Sequence, residues 1–233
     1  MGCGSSRTLG CEEISLIYAE AALNFKHIRL KSFTRALKRY SINHLISSHE
    51  LLQLSEKYDF KFANFSVHQH IEKFYESLKV DESQFNQQDI FLLAILLSEK
   101  KVETKSKLLF EYFTDGNSNE IPKKLIEEQI MKPMFILSSL NLVVLVNAKH
   151  VDKQVESMIE KYSENLIHVI EIGIKRLSKD YFYNELITFA DFSKLFNQRP
   201  DLLMASGIRY YLSLIVSKKV NKKTTQNKEE LNK

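Results

Sequence analysis

From residue 12 onward, apolar residues return at helical spacing in block after block. Between Glu12 and Leu30, the positions Ile14, Ile17, Tyr18, Ala21, Phe25 and Ile28 predict one amphipathic helix, acidic at its start and basic at Lys26, Arg29 and Lys31, the order the helix dipole favours. A second helix is predicted through Phe33, Ala36, Leu37 and Tyr40, and a third through Ile71, Phe74, Tyr75 and Leu78. The wholly apolar run 90–97 follows, then a charged connector over 99–107 and a helix carrying Leu108, Leu109, Tyr112 and Phe113. Val155, Ile159, Tyr162, Leu166, Ile170, Ile174 and Leu177 predict one long helix. Arg199-Pro200 should stop the helix after it, and a final helix is expected from Leu202 to Val216.

The polar stretches between these helices repeat one outline. Asp180 to Asp191 places Asp180, Asn184, Ile187 and Asp191 at positions 1, 5, 8 and 12 of a twelve-residue loop, the spacing of oxygen ligands and of the pairing apolar residue in a calcium-binding EF-hand. Phe182 at position 3 offers no oxygen. Glu185 stands where a glycine would make the left-handed turn, and Asp191 is shorter than the usual bidentate glutamate. In the stretch before Glu50, Ile46 falls at position 8 and Glu50 at 12, but position 1 is the cation Arg39. A third stretch has Phe85 at 8 and Asp89 at 12, with Leu78 and Val80 at ligand positions. The fourth contains Asp115-Gly116-Asn117, with Ile121 one residue out of step with that alignment and Leu125 ending the loop. The four loops begin at 39, 78, 114 and 180, an internal repeat with one long interval. No loop keeps a full ligand set, so no metal and no cofactor are expected.

The run from Phe33 to Phe196 resembles the calcineurin B and neuronal calcium sensor group. The resemblance is carried most by Lys107-Leu108-Leu109-Phe110-Glu111-Tyr112-Phe113 and by Ile187-Thr188-Phe189-Ala190-Asp191-Phe192. It implies an all-α fold: two pairs of degenerate EF-hand helix-loop-helix units plus N-terminal and C-terminal helices, in lobes over 12–100 and 101–217. It also implies an apolar groove that grips a helix of a partner protein, with Phe91, Ile95, Phe192 and Leu195 as its walls. The calcium switch of the group does not carry over to these loops.

The departure from the group is an insertion over 126–154. Within it, Met134 to Val146 has ten apolar residues in thirteen. At about 1.5 Å per residue this segment reaches roughly 20 Å, short of a hydrocarbon core of about 30 Å. It is therefore expected inside protein, either plugging the groove or packed outside it with the groove left free.

Composition and charge narrow the function. With 233 residues, 44% of them apolar, 6 Gly and 3 Pro, the chain has a core's worth of hydrophobic residues and little material for hairpins or phosphate-cradling loops. Cys3 and Cys11 are its only cysteines, which fits a reducing compartment, and no secretory signal is expected. The tail 218–233 holds 6 lysines and 2 glutamates; taking these from totals of 33 and 29 leaves a neutral body with 27 of each sign. The tail is expected to be disordered and basic.

At the other end, segment 1–11 opens with Met1-Gly2-Cys3-Gly4-Ser5-Ser6, the N-myristoylation pattern, with Cys3 placed for palmitoylation beside Gly2. A short Gly/Ser start is also what a plain terminus looks like. Two acyl chains, or one with a polybasic segment, are needed for stable anchoring, so an anionic membrane is an expected partner. The seven histidines show no metal spacing, and no nucleophile elbow or glycine loop supports an enzyme. The tail lysines lack the interleaved aromatics that nucleic-acid stacking would use. The reading is a calcium-insensitive, cytoplasmic, membrane-associated adaptor or regulatory subunit. The alternative is a structural subunit of a ciliary or cytoskeletal assembly.

Overall fold

The structure is a computed structural model of the chain and describes residues 10–62, 69–114, 116, 118–147 and 153–231. It is mostly helical, and its only strands among the described residues form two short antiparallel ladders. The elements, in order, are α1 (Cys11–Ala22), α2 (Leu30–Tyr40), β1 (Leu45–Ser47), α3 (Ser48–Tyr58), α4 (Gln69–Glu76), β2 (Gln84–Asn86), α5 (Gln87–Leu97) and α6 (Val102–Thr114). Next come β3 (Glu120–Pro122), a long helix α7 over 123–147, α8 (Lys153–Ile167), α9 (Ile170–Tyr181), β4 (Leu186–Thr188) and α10 (Phe189–Gln198). A 3-10 turn (Pro200–Leu203) leads into α11 (Ala205–Leu231).

Each ladder joins two of the loops singled out above. Ile46 faces Phe85 where β1 meets β2, and Ile121 faces Ile187 where β3 meets β4. All four side chains are buried, each contributing on the order of 1.5–3 kcal/mol. The outgoing helices start immediately after the strands because a polar side chain caps them. Ser47 accepts from the Glu50 amide while the Glu50 carboxylate accepts from the Ser47 amide, a complete capping box. Asn86 caps α5 through the Gln88 amide, and Thr188 caps α10 through the Asp191 amide.

α5 is apolar on every side, and all residues from Ile90 to Leu96 are buried, as a helix at the centre of a fold must be. It packs against α2 and α7. α7 threads the molecule: its middle lies against α5, α9 and α11, and its C-terminal part against α1, α4 and α8. Gly173 on α9 lets α11 approach closely, for a Cβ there would stand 3.1 Å from Leu212 and Tyr211; the Tyr211 hydroxyl donates to the Gly173 carbonyl at 2.9 Å.

Several expectations are corrected. The helix predicted over 12–30 stops at Ala22, because Asn24 turns left-handed (φ 59°) and hydrogen-bonds the Asp59 backbone. The long helix predicted through 155–177 breaks at Val169 into α8 and α9. The insertion expected over 126–154 begins inside a helix: α7 runs without interruption from the end of β3, and two π-helical stretches, Ile126–Met131 and Leu137–Asn141, widen its turns. At about 37 Å it is long and apolar enough to cross a membrane, yet 59% of its apolar window is buried in the protein. The tail expected to be disordered continues α11 to Leu231, since Lys, Gln and Glu are good helix formers and neither Gly nor Pro interrupts them.

Candidate functional site

The loop from Asp180 to Asp191 holds the most ligand-like residues, and its geometry places them apart. Asp180 is exposed in the last turn of α9, where its backbone carbonyl accepts from the Tyr183 hydroxyl at 2.9 Å. Phe182 turns into the core, 1% exposed. Asn184 is exposed, and Glu185 does not adopt a left-handed backbone. The Asp191 carboxylate accepts the Thr188 hydroxyl at 2.8 Å and so completes the cap of α10. A cation does sit at this loop, but it belongs to the protein. Lys123, just after β3, donates its ammonium to the Phe182 carbonyl at 2.9 Å and its backbone amide to Glu185 at 2.8 Å. These residues do not fit a calcium ion, and no cluster of three or more potential metal ligands occurs among the described residues.

The other loops are closed by local hydrogen bonds. At the first, Ile42 and Leu45 exchange two backbone hydrogen bonds of 2.9 Å across Asn43 and His44, both left-handed (φ 51° and 63°), which is a two-residue hairpin of type I′. At the second, the Asp81 carboxylate accepts from the Ser83 amide at 2.9 Å, an Asx turn. Burial raises the Asp89 carboxyl above the ordinary carboxylate range. At the loop before β3, the Ser118 hydroxyl bonds both the amide and the carbonyl of Glu120. Among the positions that would ligate a metal, Ser47, Glu50, Asn86, Thr188 and Asp191 have thus become caps, and Asn43 a turn-former.

The four residues expected to wall a partner groove are all buried. Phe91 on α5 stacks on Tyr112 with ring centroids 4.0 Å apart, and α5, which also carries Ile95, packs on α7. Phe192 lies edge-on to Phe110 and Phe196, and α10, with Leu195, packs on α6 and the 3-10 turn. All four belong to the buried core, where α6 touches both pairs, stacking Tyr112 on Phe91 and setting Phe110 against Phe192. Met134, Phe135 and Leu137 of α7 are buried, with Phe135 edge-on to Tyr211 of α11. Gly2 and Cys3 lie outside the described residues.

The most elaborate polar centre was not anticipated. Arg209 on α11 is fully buried. Its Nε donates to Glu13 Oε2 at 2.9 Å and its Nη2 to Glu13 Oε1 at 2.7 Å; Nη1 reaches Glu20 at 2.5 Å and the Ser138 carbonyl at 3.0 Å. The Tyr162 hydroxyl donates to Glu13 at 3.1 Å. One guanidinium therefore ties α1, α7 and α11 together, with α8 joined through Glu13. The Ser138 carbonyl belongs to the second π-helical stretch, whose neighbouring carbonyl at Ser139 accepts from Ser163. Burial raises the Glu20 carboxyl against the pull of Arg209. Burial alone would lower the Arg209 pKa, but Glu20 and Glu13 raise it, so it stays charged. The sequence signal was a single fixed cation in the apolar run 205–216, matched by two glutamates seven residues apart on α1.

No family model, curated protein or solved structure matches this chain.

Proposed function

We propose that the chain is a calcium-insensitive EF-hand-like adaptor or regulatory subunit, anchored to membranes by acylation at Gly2 and Cys3 and held constitutively in one conformation. The observation that supports this most is the pair of three-residue ladders centred on Ile46–Phe85 and Ile121–Ile187. Each ladder joins two helix-loop-helix units, which is the way EF-hands pair. In a working hand the metal orders the loop; here side-chain caps, one of them a complete capping box, a type I′ turn and Lys123 do so, which favours constitutive order over a switch.

With Phe91, Ile95, Phe192 and Leu195 buried in the protein's own core, a partner helix would dock from outside. The exposed row Ile14, Ile17 and Tyr18 on α1, at helical i, i+3 and i+4 spacing, is the face that suits it. Two measurements test the reading. Calorimetric titration with calcium is expected to show no site tighter than about 1 mM, the range of weak extracellular modules; a micromolar site would overturn calcium insensitivity. Changing Gly2 to Ala is expected to move the protein from the membrane fraction to the soluble one, and unchanged fractionation would remove the anchoring half.

A further inference from the structure

A groove of about 550 Å³ opens between α1, the connection from α5 to α6, and the start of α11. Most of its lining is apolar, with Ile17, Ala21, Phe25, Val102 and Met204 prominent. Two polar groups in the lining are incompletely used. Lys105 is 2% exposed, and its ammonium has one hydrogen-bond partner among the described residues, the Leu203 carbonyl at 2.9 Å, although an ammonium carries three donors. No described carboxylate lies within salt-bridge distance of it. The Ser98 hydroxyl is buried with no hydrogen-bond partner among the described residues. Buried cations are ordinarily paired with an anion, and buried hydroxyls are ordinarily hydrogen-bonded.

We propose that this groove binds a small apolar monocarboxylate, its chain along Ile17, Ala21 and Phe25 and its carboxylate on the Lys105 ammonium, within reach of Ser98. The shape and volume fall in the usual range for small-molecule sites, roughly 300–1,000 Å³, with few polar groups fixing orientation.

The charges facing the groove favour an anion. Glu20 from α1 is held by Arg209. Glu99 is exposed and paired with Lys26 at 2.9 Å, and Lys100 adds a cation at the rim; the 3-10 turn and α11 contribute no charged lining residue. Of the two lysines left over, Lys105 is the buried one. Burial lowers its pKa to about 8, with Glu99 acting in the opposite direction. Its charge, and with it the affinity for a carboxylate, should therefore fall as pH rises above neutrality.

The test is a calorimetric titration of the full chain with octanoate and, in parallel, with octanamide, which has the same chain and no charge. Octanoate is expected to bind saturably at one site and octanamide at least tenfold more weakly. Octanoate affinity should fall about tenfold from pH 7 to pH 9, following the protonated fraction of a group titrating near 8. Lys105→Met should remove the preference for the acid, while Lys105→Arg should keep it and abolish its pH dependence. Equal binding of acid and amide, non-saturable uptake, or no octanoate binding at millimolar concentration would overturn the proposal. So would wild-type affinity in Lys105→Met. The acid–amide comparison and the pH series need no variant, so the test survives a substitution that fails to fold.

Discussion

Arg209 and Lys105, the buried cations among the described residues, are accommodated in opposite ways. Arg209 spreads its donors over Glu13, Glu20 and the Ser138 carbonyl, and its charge is met by carboxylates at 2.5–3.2 Å. Lys105 has one carbonyl. The guanidinium is held firmly protonated, whereas the ammonium is pushed down to about 8 by burial. The chemistry explains part of this, since a planar fork can satisfy two carboxylates at once and a lysine, which shifts its pKa readily, can sit under-partnered in an apolar wall. The difference separates two roles. A fully partnered buried ion cross-links helices far apart in sequence, and an under-partnered one marks a place where a partner can come from outside.

The sharpest way to break the comparison is to remove Arg209. Arg209→Met leaves Glu13 and Glu20 buried with no counter-charge, and breaking such a set costs about 3–5 kcal/mol. Chemical unfolding at pH 7 should show that loss. The triple change of Arg209→Met with Glu13→Gln and Glu20→Gln should recover much of it, because the uncompensated charges go together. A loss below about 1 kcal/mol in the single variant, the scale of an exposed pair, would mean that Arg209 is not the cross-link described.

Lys105→Met should act in the opposite direction. The folded-state pKa of about 8 lies below the ordinary 10.5. Below pH 8 the ammonium is charged in folded and unfolded chain alike, so the penalty of burying it is fully present. Between pH 8 and 10.5 the folded protein has released the proton and the unfolded chain still holds it, so stability climbs with pH. Methionine is uncharged throughout and of similar length. The variant is expected to be more stable than the parent by about 1–3 kcal/mol at pH 7, with the advantage vanishing above pH 10.5, as read from denaturant midpoints at several pH values. A destabilised variant at pH 7 would place Lys105 with Arg209 as a structural cation.

The local features were legible in the sequence, and the long-range ones were not. Ile46, Phe85 and Ile187 were singled out by spacing alone and stand in the two ladders, because a single apolar residue between two capped helices has one side to bury. Aligned on Asp115-Gly116-Asn117, the sequence displaces Ile121 by one; the ladder register pairs it directly with Ile187. The helical class followed from periodicity and from the scarcity of Gly and Pro.

What failed depended on partners distant in sequence. Arg209 and Glu13 are 196 positions apart, and although Arg209 stands out as the single cation in the apolar run 205–216, nothing local names its partners. The apolar run 134–146 was recognised as buried, but its continuity with the helix leaving β3 was not, because periodicity slips where π-helical turns add a residue. The ligand outline at Asp180–Asp191 was misleading in a useful way. A carboxylate at loop position 12 is also the third residue of the next helix, where a capping box needs an acceptor, so Glu50 and Asp191 satisfy the same sequence pattern with no metal involved.

The finest division in the comparison lies within the arginine's own partners. Glu13 takes two donors of the guanidinium and Glu20 takes one. The Glu20 carboxyl is raised by burial even with Arg209 pulling it down, and the neighbouring Glu13 adds to the rise. For an acid this sign means that the folded protein keeps its proton at a pH where the unfolded chain has lost it. Stability therefore declines as pH rises from 4.5 through the folded-state value, and the penalty remains at neutral pH. Glu20→Gln removes the charge while leaving an oxygen that can accept from Nη1. The change is expected to stay within about 1 kcal/mol, in the stabilising direction at pH 7, and to disappear below pH 4.5, where both side chains are neutral. Thermal unfolding across that range measures it. A clear destabilisation at neutral pH would make Glu20, rather than Glu13, the principal counter-ion of Arg209.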